Sequence, residues 1–303
     1  MYVSGTYVTG NNGKVKVRLS ETVYDTDGGT GALETGDFTL SISGGSATLG
    51  STNPTAITKD TPTFSAATID NNLSGAQGLQ LADLDFDGDV DIIACGKSGN
   101  DLNWYESDGS GSYTERSIDL NLSGAQGLAI NDIDGDGDLD IFATARDGNQ
   151  VALYTNNGSQ SFTKTVIDSD LMQPHHVECT DLNDDGFMDL IATGRSSDKI
   201  IWYSNDGSQN FTENVLRDDL NGAITFFISD VDEDGDKDII VAELDGGKVA
   251  YLTNNGSESF TNTTIASVNR VRAVSAADVD GDGDIDLAAT GDNSSGNEVV
   301  WFE

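Results

Sequence analysis

One acidic nonapeptide recurs five times in this chain: DLDFDGDVD at 83–91, DIDGDGDLD at 132–140, DLNDDGFMD at 181–189, DVDEDGDKD at 230–238 and DVDGDGDID at 278–286. The starts are 49, 49, 49 and 48 residues apart. A constant period of this size means one supersecondary unit copied in series, each copy burying its apolar faces against its neighbours. Oxygen-bearing side chains at alternate positions around a glycine also point to a hard divalent cation.

Alignment on the nonapeptide shows the content of each unit. A β-rich segment opens it: FSAATI at 64–69, YTERSI at 113–118, FTKTVI at 162–167, FTENVL at 211–216 and FTNTTI at 260–265. A variable polar loop follows. An alternating strand then leads into the motif, with Leu79/Leu81, Leu128/Ile130, Val177/Cys179, Phe226/Ile228 and Val274/Ala276 on one face. The runs after the motif, such as DIIACG and DLIATG, are too short for helices and too apolar for half-exposed strands. They read as strands buried on both faces. A strand rich in aromatics comes next (LNWY, VALY, IIWY, VAYL, VVWF), and Asn-Gly or Asp-Gly turns lead to the following unit. Such turns tolerate positive φ and are hairpin signals.

Each unit therefore predicts a four-stranded antiparallel meander without a helix, the blade of an all-β β-propeller. Five blades are expected over 64–303. The last unit lacks its outer strand and 64–69 is a surplus copy, so pairing of the two is expected to close the ring and leave no open edge. A larger ring containing these blades is the alternative. Residues 1–63 lack the motif. KVKVRLS at 14–20 and DFTLSISGGSATL at 37–49 alternate as sandwich strands do, and the stretch resembles the first half of an immunoglobulin-like module of bacterial surface proteins.

The net charge of −37, from 52 acidic and 15 basic residues, opposes binding to nucleic acid or to an anionic membrane surface. Filling five sites with divalent cations would leave roughly −27 by the same formal count. No segment reaches the ~18 apolar residues of a membrane span. The N-terminus shows no basic segment followed by an apolar one, so an export signal would have been removed or lie outside this chain. Cys95 and Cys179 sit in non-neighbouring repeats and are expected to remain unpaired, Cys179 as a small buried residue.

Within the nonapeptide, positions 1, 3 and 5 place carboxylates on one side of a curling loop, and glycine at position 6 permits the turn. Position 7 is expected to offer its backbone carbonyl, because one copy has Phe187 there. Position 9 supplies a further oxygen. The candidate metal residues are Asp83, Asp85, Asp87, Asp89 and Asp91 in the first copy; Asp132, Asp134, Asp136, Asp138 and Asp140 in the second; and Asp181, Asn183, Asp185, Phe187 and Asp189 in the third. The fourth has Asp230, Asp232, Asp234, Asp236 and Asp238, and the fifth Asp278, Asp280, Asp282, Asp284 and Asp286. Asn183 lowers the ligand charge by one, so the third site is expected to bind more weakly. An EF-hand is excluded, because it needs a glutamate at position 12 and flanking helices. Ca²⁺ is favoured over Mg²⁺, which dehydrates reluctantly.

The pattern D-x-[D/N]-x-D-G-x-x-D between strands, framed by F-T and W-Y-x-N-x-G-S elements, resembles the FG-GAP/VCBS repeats. The resemblance implies an extracellular propeller with one calcium per blade, about five in all, held in the loop joining the first two strands. It says little about function, because propellers host many activities.

The loops before the inner strands vary most and are expected to gather at one face near the axis, where recognition usually resides. His175 and His176 read as loop residues without an acid at suitable spacing, with a ligand-binding or acid–base role as the alternative. Arg270 and Arg272 are unusual in so acidic a chain and read either as local charge balance or as binders of an anionic sugar or carboxylate. Trp104, Trp202 and Trp301 share one strand position, expected to serve blade packing. No catalytic set emerges. The expected function is a non-catalytic extracellular module binding glycan or protein ligands; a polysaccharide lyase using the histidines and arginines, or a spacer in a surface adhesin, are the alternatives.

Overall fold

The computed structural model describes residues 66–293 and 296–303, together with Thr6–Val8 and Val15–Val17. The chain divides into two units, Met1–Ala67 and Thr68–Glu303. In the first, β1 (Thr6–Val8) and β2 (Val15–Val17) pair antiparallel. β2 falls within the strand expected at 14–20; the one expected at 37–49 lies outside the described residues.

The second unit is a series of five antiparallel sheets, each a sequential meander. The first contains β3 (Ala76–Ala82), β4 (Asp91–Gly96), β5 (Asp101–Ser107) and β6 (Tyr113–Asp119). The second contains β7 (Ala125–Asn131), β8 (Asp140–Ala145), β9 (Gln150–Asn156) and β10 (Phe162–Asp168). The third contains β11 (Pro174–Thr180), β12 (Asp189–Gly194), β13 (Lys199–Asn205) and β14 (Phe211–Arg217). The fourth contains β15 (Ala223–Ser229), β16 (Asp238–Glu243), β17 (Lys248–Asn254) and β18 (Phe260–Ser267). The fifth has three strands, β19 (Val271–Ala277), β20 (Asp286–Asn293) and β21 (Gly296–Phe302). No helix occurs among the described residues.

Burial explains the sequence pattern strand by strand. β8, β12 and β16 are buried at every residue. A strand covered on both faces has no solvent side to which a polar residue could point, hence the unbroken apolar runs. The outer strands face water, and β6 and β10 each carry four consecutive exposed residues. Their Thr-, Lys- and Glu-rich sequences follow from that.

The core lies between sheets. Ile93, Cys95 and Trp104 pack against Leu128, Ile141, Ala143 and Tyr154. Ile240, Ala242 and Val249 meet Leu287 and Ala289 in the same way at the other end. Trp104 and Trp202 are buried in these interfaces, as expected, while Trp301 on the last sheet is exposed.

Hydrogen bonds register one sheet on the next. Thr193 Oγ1 accepts from His176 N at 3.2 Å and donates to Ile224 O, in the following sheet, at 3.1 Å. Thr144 and Cys95 link their neighbours in the same manner. Tyr154 Oη donates to Asp119 and Tyr203 Oη to Asp168, each at the end of the preceding outer strand. The inner strands approach so closely that a Cβ on Gly127 would sit 2.7 Å from His175 O.

The closure expected from 64–69 finds no support among the described residues. Residues 66–69 form no strand, and the fifth sheet has three. Phe64 and Ser65 lie outside the described residues. The other four copies of this segment are fed by a tight turn from an adjacent strand, whereas 64–69 has no such neighbour in sequence. Its intended partner, β21, is more than 220 residues away, and only a long-range closure would join them.

Replacing Thr193 by Val keeps the shape and removes the linking hydroxyl. We expect a loss of about 1–3 kcal/mol, the cost of leaving a buried N–H without an acceptor. Thr212→Val, on an exposed outer strand, should change urea-unfolding midpoints little.

Candidate metal centres and the opposite loop face

Each acidic loop joins an inner strand to the buried second strand, and its own side chains curl it. In the second copy, Asp132 Oδ2 accepts from Gly137 N at 3.0 Å and Oδ1 from Gly135 N at 2.9 Å. Asp134 Oδ1 accepts from Asp136 N, and Asp136 Oδ1 from Asp138 N. These Asx turns explain why Asp or Asn is needed at alternate positions. Position 6 has φ between 90° and 106° in all five copies, which requires glycine. Position 4 is also left-handed, at Phe86, Gly135, Asp184, Glu233 and Gly281. Its varied residue types gave no sequence signal.

Position 9 is a buried anchor. Asp140 is fully buried; its Oδ2 accepts from Ile133 N at 3.1 Å and its Oδ1 from Asn156 N at 2.8 Å. Asp91, Asp189 and Asp238 repeat both bonds. The acidic loop is thereby tied to the end of the third strand. At position 7 the side chains of Asp89, Asp138, Phe187 and Asp236 lie against turn glycines Gly109, Gly158, Gly207 and Gly256. A phenyl ring can serve there because the position is used for contact with the turn.

Carboxylates converge at four loops: Asp83, Asp85 and Asp91; Asp132, Asp134 and Asp136; Asp230, Asp232 and Asp234; Asp278, Asp280 and Asp282. Within each group the oxygens lie within 4.8 Å of one another. In the third copy Asn183 Nδ2 donates to Asp185 Oδ2 at 3.1 Å. Burial, then neighbouring carboxylates, raise Asp85 and Asp134 above the ordinary range. Asp83 Oδ1 is buried without a hydrogen-bond partner among the described residues. A buried carboxylate oxygen in that position calls for a proton or a cation. The oxygen-only donor set fits a hard divalent ion, which would neutralise carboxylates that otherwise repel.

The other edge of the sheets carries the unrepeated side chains. There the loops entering each inner strand bond to those leaving the second strand, as in Arg146 N to Gly124 O and Arg195 N to Gln173 O. His175 and His176 lie on β11 rather than in a loop. His176 does have an acid partner: Glu178 Oε1 is 2.9 Å from its Nε2, because residues two apart share a strand face. Its ring also meets Phe226 edge-on at 4.8 Å. Burial, aided by Arg146, holds His175 down to about 4, so its ring is neutral at pH 7. Its Nε2 is 3.2 Å from Gln126 Nε2.

Arg270 and Arg272 both bind Asp292, at 2.9 and 2.7 Å. Arg195 clasps Asp245 with two 3.0 Å bonds. Arg195, with Arg270 and Arg272 nearby, holds Asp245 below the usual carboxylate range, and Arg195 also acts on His175. Arg195 is therefore within electrostatic reach of His175 as well as bound to Asp245. Sequence reading overlooked Arg146 and Arg195; the available signal was that they follow the second strand at the repeat position of Lys97. A cavity of about 460 Å³ opens beside Glu178, Cys179, Asp230 and Lys237. Cys95 and Cys179 are free thiols, and burial pushes Cys95 up to about 11, leaving it unreactive.

Serial antiparallel sheets, with an acidic loop at one end of each, define β-propeller blades. A model of the FG-GAP-like repeat matches residues 83–143, 132–192, 181–241 and 230–289, more than half the chain. The protein belongs to the FG-GAP-like repeat family. No curated protein sequence matches it. Among solved structures it is similar to an auxiliary nutrient binding protein from Bacteroides ovatus, with TM-score 0.53 and 13% identity over 77% of this chain and 61% of that one. A protein from Lactobacillus plantarum gives TM-score 0.50 and 14% identity over 75% and 70%. Virginiamycin B lyase from Staphylococcus aureus gives 0.48 and 16% over 77% and 85%. The likeness to the first two of these is one of fold.

Burial raises Asp140 to about 6 against the opposing bonds from Asn156 and Ile133. In chelator-treated protein the native state therefore holds a proton that the unfolded chain, titrating near 4, has lost. Stability supplied by this group is full below pH ~4 and declines as pH rises to ~6. Melting at pH 5 should accordingly exceed melting at pH 7 when calcium is absent.

Proposed function

We propose that this protein is an extracellular, calcium-stabilised propeller module that binds a glycan or protein ligand and does no chemistry. The observation that carries this reading is a division of labour between the two edges of the blades. One edge repeats the same acidic loop five times; the other bears His175, His176, Arg270 and Arg272, which differ from blade to blade. A repeated feature serves each blade, whereas variable side chains on a rigid scaffold are suited to recognition. Calcium, one ion per blade, would hold each loop closed and bind only the folded chain, so its binding energy adds to stability. An ion supply of that kind, and free acidic surface around it, suit a secreted or cell-surface setting. A ligand-binding role also agrees with the nutrient binding named for the Bacteroides ovatus structure.

The pairing of His176 with Glu178 favours one second reading, because a carboxylate can orient a histidine as a general base. Glycan arrays with and without EDTA, run beside an assay for unsaturated uronate, separate the two. Calcium-dependent binding without turnover supports the module; turnover abolished by His176→Ala would overturn it.

Calcium removal should also lower the melting temperature by well over 5 °C, since several sites each contribute RT ln(1 + [L]/Kd). An unchanged melting temperature after EDTA would remove the metal assignment.

A further inference from the structure

The third acidic loop has Asn183 where the other four have aspartate at position 3. Its neighbourhood differs in a matching way. In the second loop, Asp134 Oδ2 accepts a 2.7 Å hydrogen bond from Gln209 Nε2. Gln209 belongs to the following blade, in the turn between its third and outer strands. Thr155 Oγ1 donates to Gln209 Oε1 at 3.3 Å and keeps that amide's donor side toward Asp134. The same turn position is left-handed at Gln160, Gln209 and Glu258, with φ of 53°, 60° and 59°. The backbone of the turn is therefore alike in these three blades. Facing the third loop, that residue is Glu258, and it lines one cavity of about 450 Å³ together with Asn183, Asp184 and Asp236.

Both members of the pair have changed, and in opposite senses. Asp134, an acceptor with a charge, faces Gln209, a neutral donor. Asn183, neutral and carrying a donor, faces Glu258, a charged acceptor. Asn183 can present its Oδ1 to a cation only if its Nδ2 turns outward and finds an acceptor there. In this structure that amide instead donates into the loop, to Asp185 Oδ2, and so occupies an oxygen an ion would need. The loop also lies beside a cation: Lys237 Nζ donates to Asp181 O at 2.7 Å and is 3.7 Å from Asp184. Among the described residues Glu258 makes no hydrogen bond or ion pair, so its carboxylate is free to act.

We propose that Glu258 is a positioning residue for the third metal centre, reaching across the blade boundary to supply the acceptor and the negative charge that Asn183 removes. The third site is then comparable to the others rather than the weak member that its nonapeptide alone implies. This inference rests on the calcium reading of the loops.

The test is a calcium titration of the ¹⁵N-labelled full chain against a competing chelator, read at the position-6 amides of Gly88, Gly137, Gly186, Gly235 and Gly283. Glu258→Gln should weaken the midpoint at Gly186 roughly tenfold, since ligand charge tunes such sites, and leave Gly137 and Gly235 in place. Adding Asn183→Asp to that variant recreates the Asp–Gln pair of the second loop and should restore the midpoint. Because Glu258 is exposed, unchanged dispersion of the remaining amides confirms the fold. The effect should persist in a Lys237→Met background. An unmoved Gly186 midpoint, an equal shift at all five glycines, or an effect that vanishes without Lys237 overturns the proposal. If the unmodified protein shows no calcium-dependent shift, the calcium reading falls and the proposal falls with it. If calcium binds and only Glu258→Gln is silent, the calcium reading stands alone.

Discussion

A carboxylate buried at the ninth position of every acidic loop holds this structure together. In the first four copies its two oxygens take two backbone N–H groups, one from the start of its own loop and one from the end of the third strand. An ionised group with no exposure would be costly without such bonds. With them it joins three parts of a blade: loop, second strand and third strand. Anything that binds the loop is thereby coupled to the interior of the sheet. The rise of Asp140 to about 6 shows the tension in this arrangement, because two N–H donors only partly offset burial among like charges.

The blades depend on one another for a different reason. A second strand that is apolar on both faces cannot be covered by its own sheet. Each interface is therefore a shared core, and the polar links at Cys95, Thr144 and Thr193 set its register. These links also draw the inner strands together, to the point where Gly127 tolerates no side chain. The same proximity brings His175, Arg195 and the arginines of the last blade into one neighbourhood, though they are far apart in sequence.

Much of this was legible beforehand. Alternation at Leu128 and Ile130, the unbroken run DIFATA and the turn glycines each state a local environment, and the strands fall where they predict. The curl of the acidic loops was legible too, because Asx turns and a left-handed glycine are local requirements. The pairing of His176 with Glu178 was missed although strand alternation implies it, since the segment had been read as a loop. The closing role of 64–69 was read by analogy with its four copies. Analogy of sequence does not supply the neighbouring strand that holds each of the others, and residues 66–69 form no strand.

The sequence by itself determined the period, the meander within each unit and the curl of the acidic loops, because these follow from contacts between residues close in the chain. Only the tertiary structure decided which side chains meet across blade boundaries: Gln209 on Asp134, Lys237 on Asp181, Arg195 on Asp245. Such pairs lie 50 or more residues apart, and the stacking of whole sheets, rather than any local propensity, brings them within reach.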